Sequence, residues 1–279
     1  MKNTMYLMLL FLSFGIQAQQ KEQYTHKFTY DYTYQIDSTN SNSKRTVQMA
    51  LLVNNEKSYF CSNNLIISDS LGGNKTIGEL GGAAAASAFL KQAKLPRIRI
   101  HTQILKNRKT LDLTYYEKIY HLVYTYDETY NMKWKLASET KEIAGYSCQK
   151  ATMKYAGRNY TAWYTTTIPM SDGPFKFRGL PGLILEIYDA KNQHHFTITK
   201  IANQTGNFLP ILKRNLVKTS PKKLLTERKK ARAEMVKAAI MMNPDKSPEQ
   251  IKMLKEKYKR KNNPIELQFD YYKAPTKKK

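Results

Sequence analysis

The stretch Gly173-Pro174-Phe175-Lys176-Phe177-Arg178-Gly179-Leu180-Pro181-Gly182-Leu183-Ile184-Leu185-Glu186-Ile187 constrains this chain more than any other. Pro174 and Pro181 fix φ near about −65°, while Gly179 and Gly182 open backbone angles that a Cβ disfavours. Two Phe residues stand between the prolines, and the segment runs straight into an apolar strand. Such a run specifies one backbone path, a bent aromatic loop feeding a buried strand.

Most of the remaining chain alternates apolar and polar residues, the pattern of half-buried strands. Phe28, Tyr30, Tyr32, Tyr34 and Ile36 share one face; Ser38–Ser43 then reads as a polar turn. Val47–Val53 and Glu56–Phe60 form a hairpin about Asn54-Asn55. The segment 63–88 has no clear period, and the Ala-rich stretch after Gly81-Gly82 reads as a loop or as a helix ending near Lys94, before Pro96. Arg97–Leu105, Leu111–Tyr116 and Lys118–Tyr126 read as strands, followed by Glu139–Ile143, Cys148–Tyr155 and Asn159–Thr165 with turns at Gly145-Tyr146 and Gly157-Arg158. Leu183–Tyr188 and His195–Ile201 pair about Lys191-Asn192.

The period changes after Thr219. Ser220-Pro221 and Ser247-Pro248 are helix starts, and Asn243-Pro244 and Asn263-Pro264 are stops. The segment 221–261 is thus expected to form a basic helical hairpin inserted before a last strand carrying Ile265, Leu267 and Phe269. The expected architecture is α+β: a mostly antiparallel, strongly curved, half-barrel-like sheet with a C-terminal helical hairpin.

The ends and the charge bound the setting. Residues 1–18 have the form of a secretory signal, with Lys2 before a short apolar run and Ala18 at the expected cut. Residues 19–279 then form a single β-rich domain expected in the periplasm or secreted. The formal net charge is +24, and from Lys213 onward 21 Lys or Arg face 7 Asp or Glu. That excess is either a solvated helical face or a surface for an anionic membrane, and export argues against nucleic acid. Cys61 and Cys148 lie far apart in sequence and admit either a disulfide or two buried thiols.

No catalytic, metal or cofactor signature stands out. The pair His194-His195 reads as surface histidines of a hairpin, because neighbouring strand residues point to opposite faces. Glu186 is expected to face solvent or to meet Arg158 or Arg178, and Asp172-Gly173 to serve a turn. The better site candidate is the aromatic group Trp163, Tyr164, Phe175 and Phe177, with Lys176 or Arg178 available to an anionic headgroup. The same residues, with Gly173, Pro174, Gly179, Leu180, Pro181 and Gly182, alternatively plug the open end of a curved sheet. The apolar character of the run favours the plug.

The run Gly179-Leu180-Pro181-Gly182-Leu183-Ile184 resembles the signature of the GLPGLI proteins of Bacteroidetes cell envelopes. Trp134-Lys135-Leu136, Gly145-Tyr146-x-Cys148, Gly157-Arg158-x-Tyr160-x-Ala162-Trp163-Tyr164, Ile168-Pro169 and Asn263-Pro264-Ile265-Glu266-Leu267 also resemble that family's pattern, in order. The resemblance implies an exported envelope protein of undetermined biochemical role and brings no catalytic residues with it. The expected function is a non-enzymatic binding or carrier protein for a lipid or another apolar or amphipathic ligand. The alternatives are an accessory protein that contacts other envelope proteins or anionic membrane, and a hydrolase.

Overall fold

Tyr126, Tyr115, Ile104, Phe60, Leu51 and Phe28 stand side by side in register on six neighbouring strands. All six are buried in one core, so a single apolar row spans half of a large sheet. The computed structural model describes residues 22–71, 81–203, 205–208 and 215–269. The leader read at 1–18 lies outside the described residues.

The strands are β1 (Glu22–Tyr24), β2 (His26–Gln35), β3 (Lys44–Val53), β4 (Lys57–Ser62), β5 (Thr102–Asn107), β6 (Asp112–Ile119) and β7 (Leu122–Thr129). There follow β8 (Lys135–Ile143), β9 (Tyr146–Tyr155), β10 (Arg158–Thr165), β11 (Leu183–Asp189), β12 (His194–Ala202), β13 (Gly206–Phe208) and β14 (Leu216–Lys218). The helices are α1 (Asn63–Ser70), α2 (Gly82–Ala93), α3 (Pro221–Met241) and α4 (Pro248–Lys259). Twelve strands make one sheet in the order β14-β7-β6-β5-β4-β3-β2-β12-β11-β10-β9-β8, and β1 pairs with β13 apart from it. Among the described residues every ladder is antiparallel except β14 with β7. The protein is α+β, and its sheet is not closed into a barrel.

The two faces differ. Phe28, Tyr30, Met49, Leu51 and Phe60 enter the main core. Their neighbours Leu52, Tyr59 and Cys61 point the other way, into a small cluster with Tyr24 that Leu65 and Ile66 of α1 cover. Helix α1 is the element with no visible period in the sequence. The Ala-rich stretch takes the helical of its two readings, as α2.

Two ends of the ladder approach one another through side chains. Strands β7 and β9 are each second from an end, yet the Tyr155 hydroxyl of β9 lies 3.5 Å from Glu128 Oε1 of β7. Twelve twisted strands cannot stay flat, and this contact bridges the gap that backbone pairing leaves open.

The helical hairpin forms as its caps dictate. Ser220 accepts from Lys223 N, and Ser247 makes a reciprocal capping box with Gln250. Three expectations are corrected. The turns of β8–β9 and β9–β10 are Ala144-Gly145 and Ala156-Gly157, both residues of each with positive φ, one position earlier than read. Strand β6 runs on through Glu117 to Ile119, and its turn into β7 lies at Tyr120-His121. The residues Ile265, Leu267 and Phe269 form no strand. There Arg158 takes the carbonyls of Pro264 and Ile265 at 2.7 and 3.1 Å, while Leu267 and Gln268 both donate to Ala156 O.

Candidate functional site

The loop between β10 and β11 is folded inward. Phe175, Lys176, Phe177, Arg178 and Leu180 are all buried, the Lys176 side chain completely. Its backbone is set by Leu183 N donating to Ile168 O and Ile184 N to Asp172 O, with a tight turn from Pro174 to Phe177. Trp134 Nε1 donates to Arg178 O at 2.8 Å and clamps the bend, where Gly179 has φ +93°. Gly182 packs against Thr165: a Cβ built on it would lie 2.0 Å from the Thr165 carbonyl oxygen.

Three inward-facing charges on β5–β7 explain where this loop and its neighbours dock. Lys106 of β5 bonds Asp172 and donates to Gly173 O at 2.7 Å. Burial pushes Lys106 down from the ordinary lysine range, and Asp172 opposes that. Glu128 of β7 takes Lys176 at 2.7 Å, and the same ammonium reaches Glu266 Oε1 at 2.6 Å and Tyr126 OH at 3.0 Å. Burial raises Glu128, with Lys176 pulling it back. Glu117 of β6 takes Arg228 of α3; burial alone would raise this carboxyl, but Arg228 together with the Tyr115 hydroxyl and His101 holds it below its usual range. The expectation that Asp172 is turn chemistry is therefore incomplete, because it neutralises a lysine 66 positions away.

Neither loop cation is available to a headgroup. Lys176 is enclosed, and Arg178 donates to the carbonyls of Asn107, at 2.9 Å, and Leu111 in the β5–β6 turn. The four aromatics do not form one cleft either. Phe175 and Phe177 stand 5.9 Å apart and mesh with Tyr115, Tyr155 and Tyr160. The Tyr164 hydroxyl bonds Gln149, and Trp163 lies under Lys141 at 4.6 Å.

Glu186 meets Lys141 and His195 rather than Arg158 or Arg178. Burial favours its neutral form, but the hydrogen bonds from His195 and Lys141 prevail and keep its pKa low. Arg158 instead holds Asp189 at 2.9 Å and Asn263 at 2.6 Å. The histidine pair splits as strand geometry requires, yet His194 is buried, 2% exposed, and is no surface residue. Its Nδ1 lies 2.7 Å from Tyr32 OH. Burial and then Arg158 push its pKa down to about 3. Cys61 and Cys148 are both free and buried, in separate clusters, so the disulfide alternative is not realised. Among the described residues no three His, Cys, Asp or Glu converge as a metal set.

A space that can take a ligand lies elsewhere. A cavity of about 890 Å³ opens between the inner face of the sheet and the helical hairpin. Tyr32 and Tyr34 of β2, Phe60 of β4 and Phe196 of β12 supply its aromatic floor, and Phe175 is the loop residue that reaches it. Tyr32 and Phe196 are stacked with centroids 4.1 Å apart. Among the described residues, seven Lys or Arg and a single carboxylate, Glu117, line the cavity.

The signal for this site was present but divided. The Tyr32 and Tyr34 alternation marks a strand face without saying what covers it. Arg228, Arg232 and Met235 fall at i, i+4 and i+7 on α3, one side of the helix. Nothing local links that helix side to β2.

Residues 154–186 match the model of a family described as "Protein of unknown function (Porph_ging)", a span that runs from the end of β9 through the buried loop to Glu186. No curated protein matches the chain. Among solved structures, PNGF-II in space group P21 is similar with a TM-score of 0.51 and 16% identity, over 75% of this chain and 34% of that one. PNGF-II in space group C2 gives 0.47 and 14%, over 74% and 33%. The chain thus spans about a third of the length of PNGF-II, and the likeness is one of fold, a large mostly antiparallel sheet with few helices.

Proposed function

We propose that this chain is a non-enzymatic binding or carrier protein of the GLPGLI type, holding an apolar or amphipathic ligand between its sheet and its helical hairpin. The observation that carries this reading is the aromatic-floored cavity of about 890 Å³, within the range of small-molecule sites. The Tyr155–Glu128 contact supports reading the sheet as a strongly curved half-barrel, with that cavity on its hollow side. The leader-like residues 1–18 make the protein an exported one, working in the periplasm or outside the cell. The buried loop acts as the plug of the half-barrel, and only Phe175 belongs to the site. Hydrolysis has little support, since the converging carboxylates Glu128 and Glu266 are closed around Lys176.

Titration with N-phenyl-1-naphthylamine, a neutral apolar fluorophore, tests the reading. Saturable fluorescence enhancement is expected, weakened by Met235→Glu on the hairpin wall. Absence of saturable binding overturns it. A second reading rests on Met241, Met242 and Met253, which are 80%, 82% and 67% exposed on the lysine-rich hairpin. That surface suits contact with anionic membrane or an envelope protein, and salt-sensitive liposome binding by a protein that takes up no fluorophore favours it.

A further inference from the structure

The positive charges of the hairpin are not evenly matched. Four acids on or against the hairpin are engaged: Glu117 with Arg228, Glu227 with Lys230, Glu234 with Lys237, and Glu256 with Arg260. Arg232, Lys257 and Lys261 all line the cavity, and among the described residues none of the three has an ion-pair partner.

These three are also close neighbours. Arg232 Nη1 donates to the Lys261 carbonyl, which fixes α3 against the end of α4. Burial lowers Lys261, and Arg232 and Lys257 lower it further. Arg232 is lowered by burial and by Arg228, against the pull of Glu117. Like charges gathered at a partly desolvated cavity wall repel one another, and an anion placed among them relieves that repulsion. Beyond them the cavity continues onto Tyr32, Phe60 and Phe196, which offer an apolar body stacking surface but no charge.

We infer that Arg232, Lys257 and Lys261 form a headgroup clamp, and that the ligand is an anionic amphiphile with its carboxylate or phosphate at the hairpin and its apolar body on the aromatic floor. This rests on the cavity reading given above. The clamp explains why the helical hairpin is so basic on the side that faces the sheet. It also gives the site a polarity: tail toward β4 and β12, head toward α3 and α4.

The test is displacement of N-phenyl-1-naphthylamine by dodecanoate, dodecyl phosphate and 1-dodecanol, all below micellar concentration, with inorganic phosphate as a fourth competitor. The wild-type protein is expected to take dodecanoate or dodecyl phosphate at least tenfold more tightly than dodecanol. The better of the two anions identifies the headgroup. In Arg232→Ala/Lys257→Ala/Lys261→Ala that preference should vanish, while the neutral fluorophore still reports a folded protein with an intact floor. Equal affinity for dodecanol and the anions in the wild type overturns the clamp and leaves the cavity reading standing. So does a preference that survives in the triple variant. Binding of inorganic phosphate as tight as that of dodecyl phosphate overturns the amphiphile class. A wild-type protein that takes up no fluorophore overturns the cavity and the clamp together.

Discussion

The Lys176 ammonium lies 2.6 Å from Glu266 Oε1, joining the buried loop to a residue 90 positions further along the chain. Glu266 belongs to no strand, and the bond is part of what holds its segment in place. Tyr155 OH donates to the same carboxylate at 2.9 Å, so β9, the loop and the C-terminal segment meet at one oxygen. Lys176 reaches from there to Glu128 on β7, at the other end of the ladder. A single buried cation thus ties the loop to β7 and to the C-terminal segment, which among the described residues share no strand pairing.

Removing that cation should be costly. Lys176→Met leaves Glu128 and Glu266 buried without their shared counter-charge and is expected to destabilise by about 3–5 kcal/mol. Adding Glu128→Gln and Glu266→Gln to the same chain should return much of the loss, since neutral amides need no counter-charge. Urea denaturation of the three proteins measures both steps. A cost below about 1 kcal/mol for Lys176→Met would show that the network is not what holds the ends together.

At Gly182 the limit is space rather than backbone angle. A Cβ there would approach the Thr165 carbonyl oxygen to 2.0 Å, and carbonyl and strand would both have to move. Gly182→Ala should therefore cost more than Gly145→Ala, whose Cβ meets nothing within 4 Å and whose penalty comes from φ +81° alone. The second substitution is expected to cost about 1 kcal/mol, in the range set by left-handed backbone strain. Thermal or chemical denaturation ranks the pair. A reversed order would mean that β10 and β11 shift apart at little cost.

The elements that were legible in the sequence are those whose determinants are local. The hairpin β3–β4 announces itself by alternation and Asn54-Asn55, and α3 and α4 by Ser-Pro starts. What could not be read depends on distant partners. Glu117 looks like a break between two strands because a carboxylate at an inward position makes no sense until Arg228, 111 residues later, is placed over it. Lys176 and Arg178 look like free cations beside an aromatic loop for the same reason: their acceptors lie on β5–β7 and at Glu266. Ile265, Leu267 and Phe269 alternate like a strand, but Arg158 takes carbonyls that a ladder would need. The cavity was illegible because its lining is gathered from β2, β4, β12 and the helical hairpin, which no local pattern links.

The two thiols should be silent in the native protein. Cys61 and Cys148 are fully buried, and burial pushes the Cys148 thiol up to about 11. Thiolate is the reactive form, so both should resist alkylation at pH 8. Mass spectrometry after iodoacetamide is expected to find no label on the folded protein and two on the denatured one. The melting temperature should not change with dithiothreitol. A drop on reduction would mean that the thiols pair.

The most specific pH effect belongs to His194. It lies behind Tyr32, facing Arg158 and Asp189, and its pKa is pushed down to about 3. In the unfolded chain it returns to about 6.5. Between those values the unfolded state holds a proton that the native state refuses, so stability falls as pH drops below about 6.5. One such group gives a slope of up to about 1.4 kcal/mol per pH unit. The carboxylates Glu117 and Glu186 are held below the usual range and lose their contribution only on further acidification, below about 4.5. The window from pH 6.5 to 5 therefore lies above those two carboxylates; Glu128, which burial raises, contributes with the opposite sign as pH falls and is common to the wild type and the histidine variants. His101 is also lowered there, by burial and then by Lys118, so His101→Gln serves as the control for its share. In His194→Asn, the amide oxygen can still accept from Tyr32 OH while no proton is taken up on unfolding. The expected result is a flatter dependence of urea stability on pH across that window, by up to one proton, with His101→Gln producing the smaller change. If the slope of His194→Asn equals that of the wild type, His194 takes up its proton in the folded state and its site is open to water.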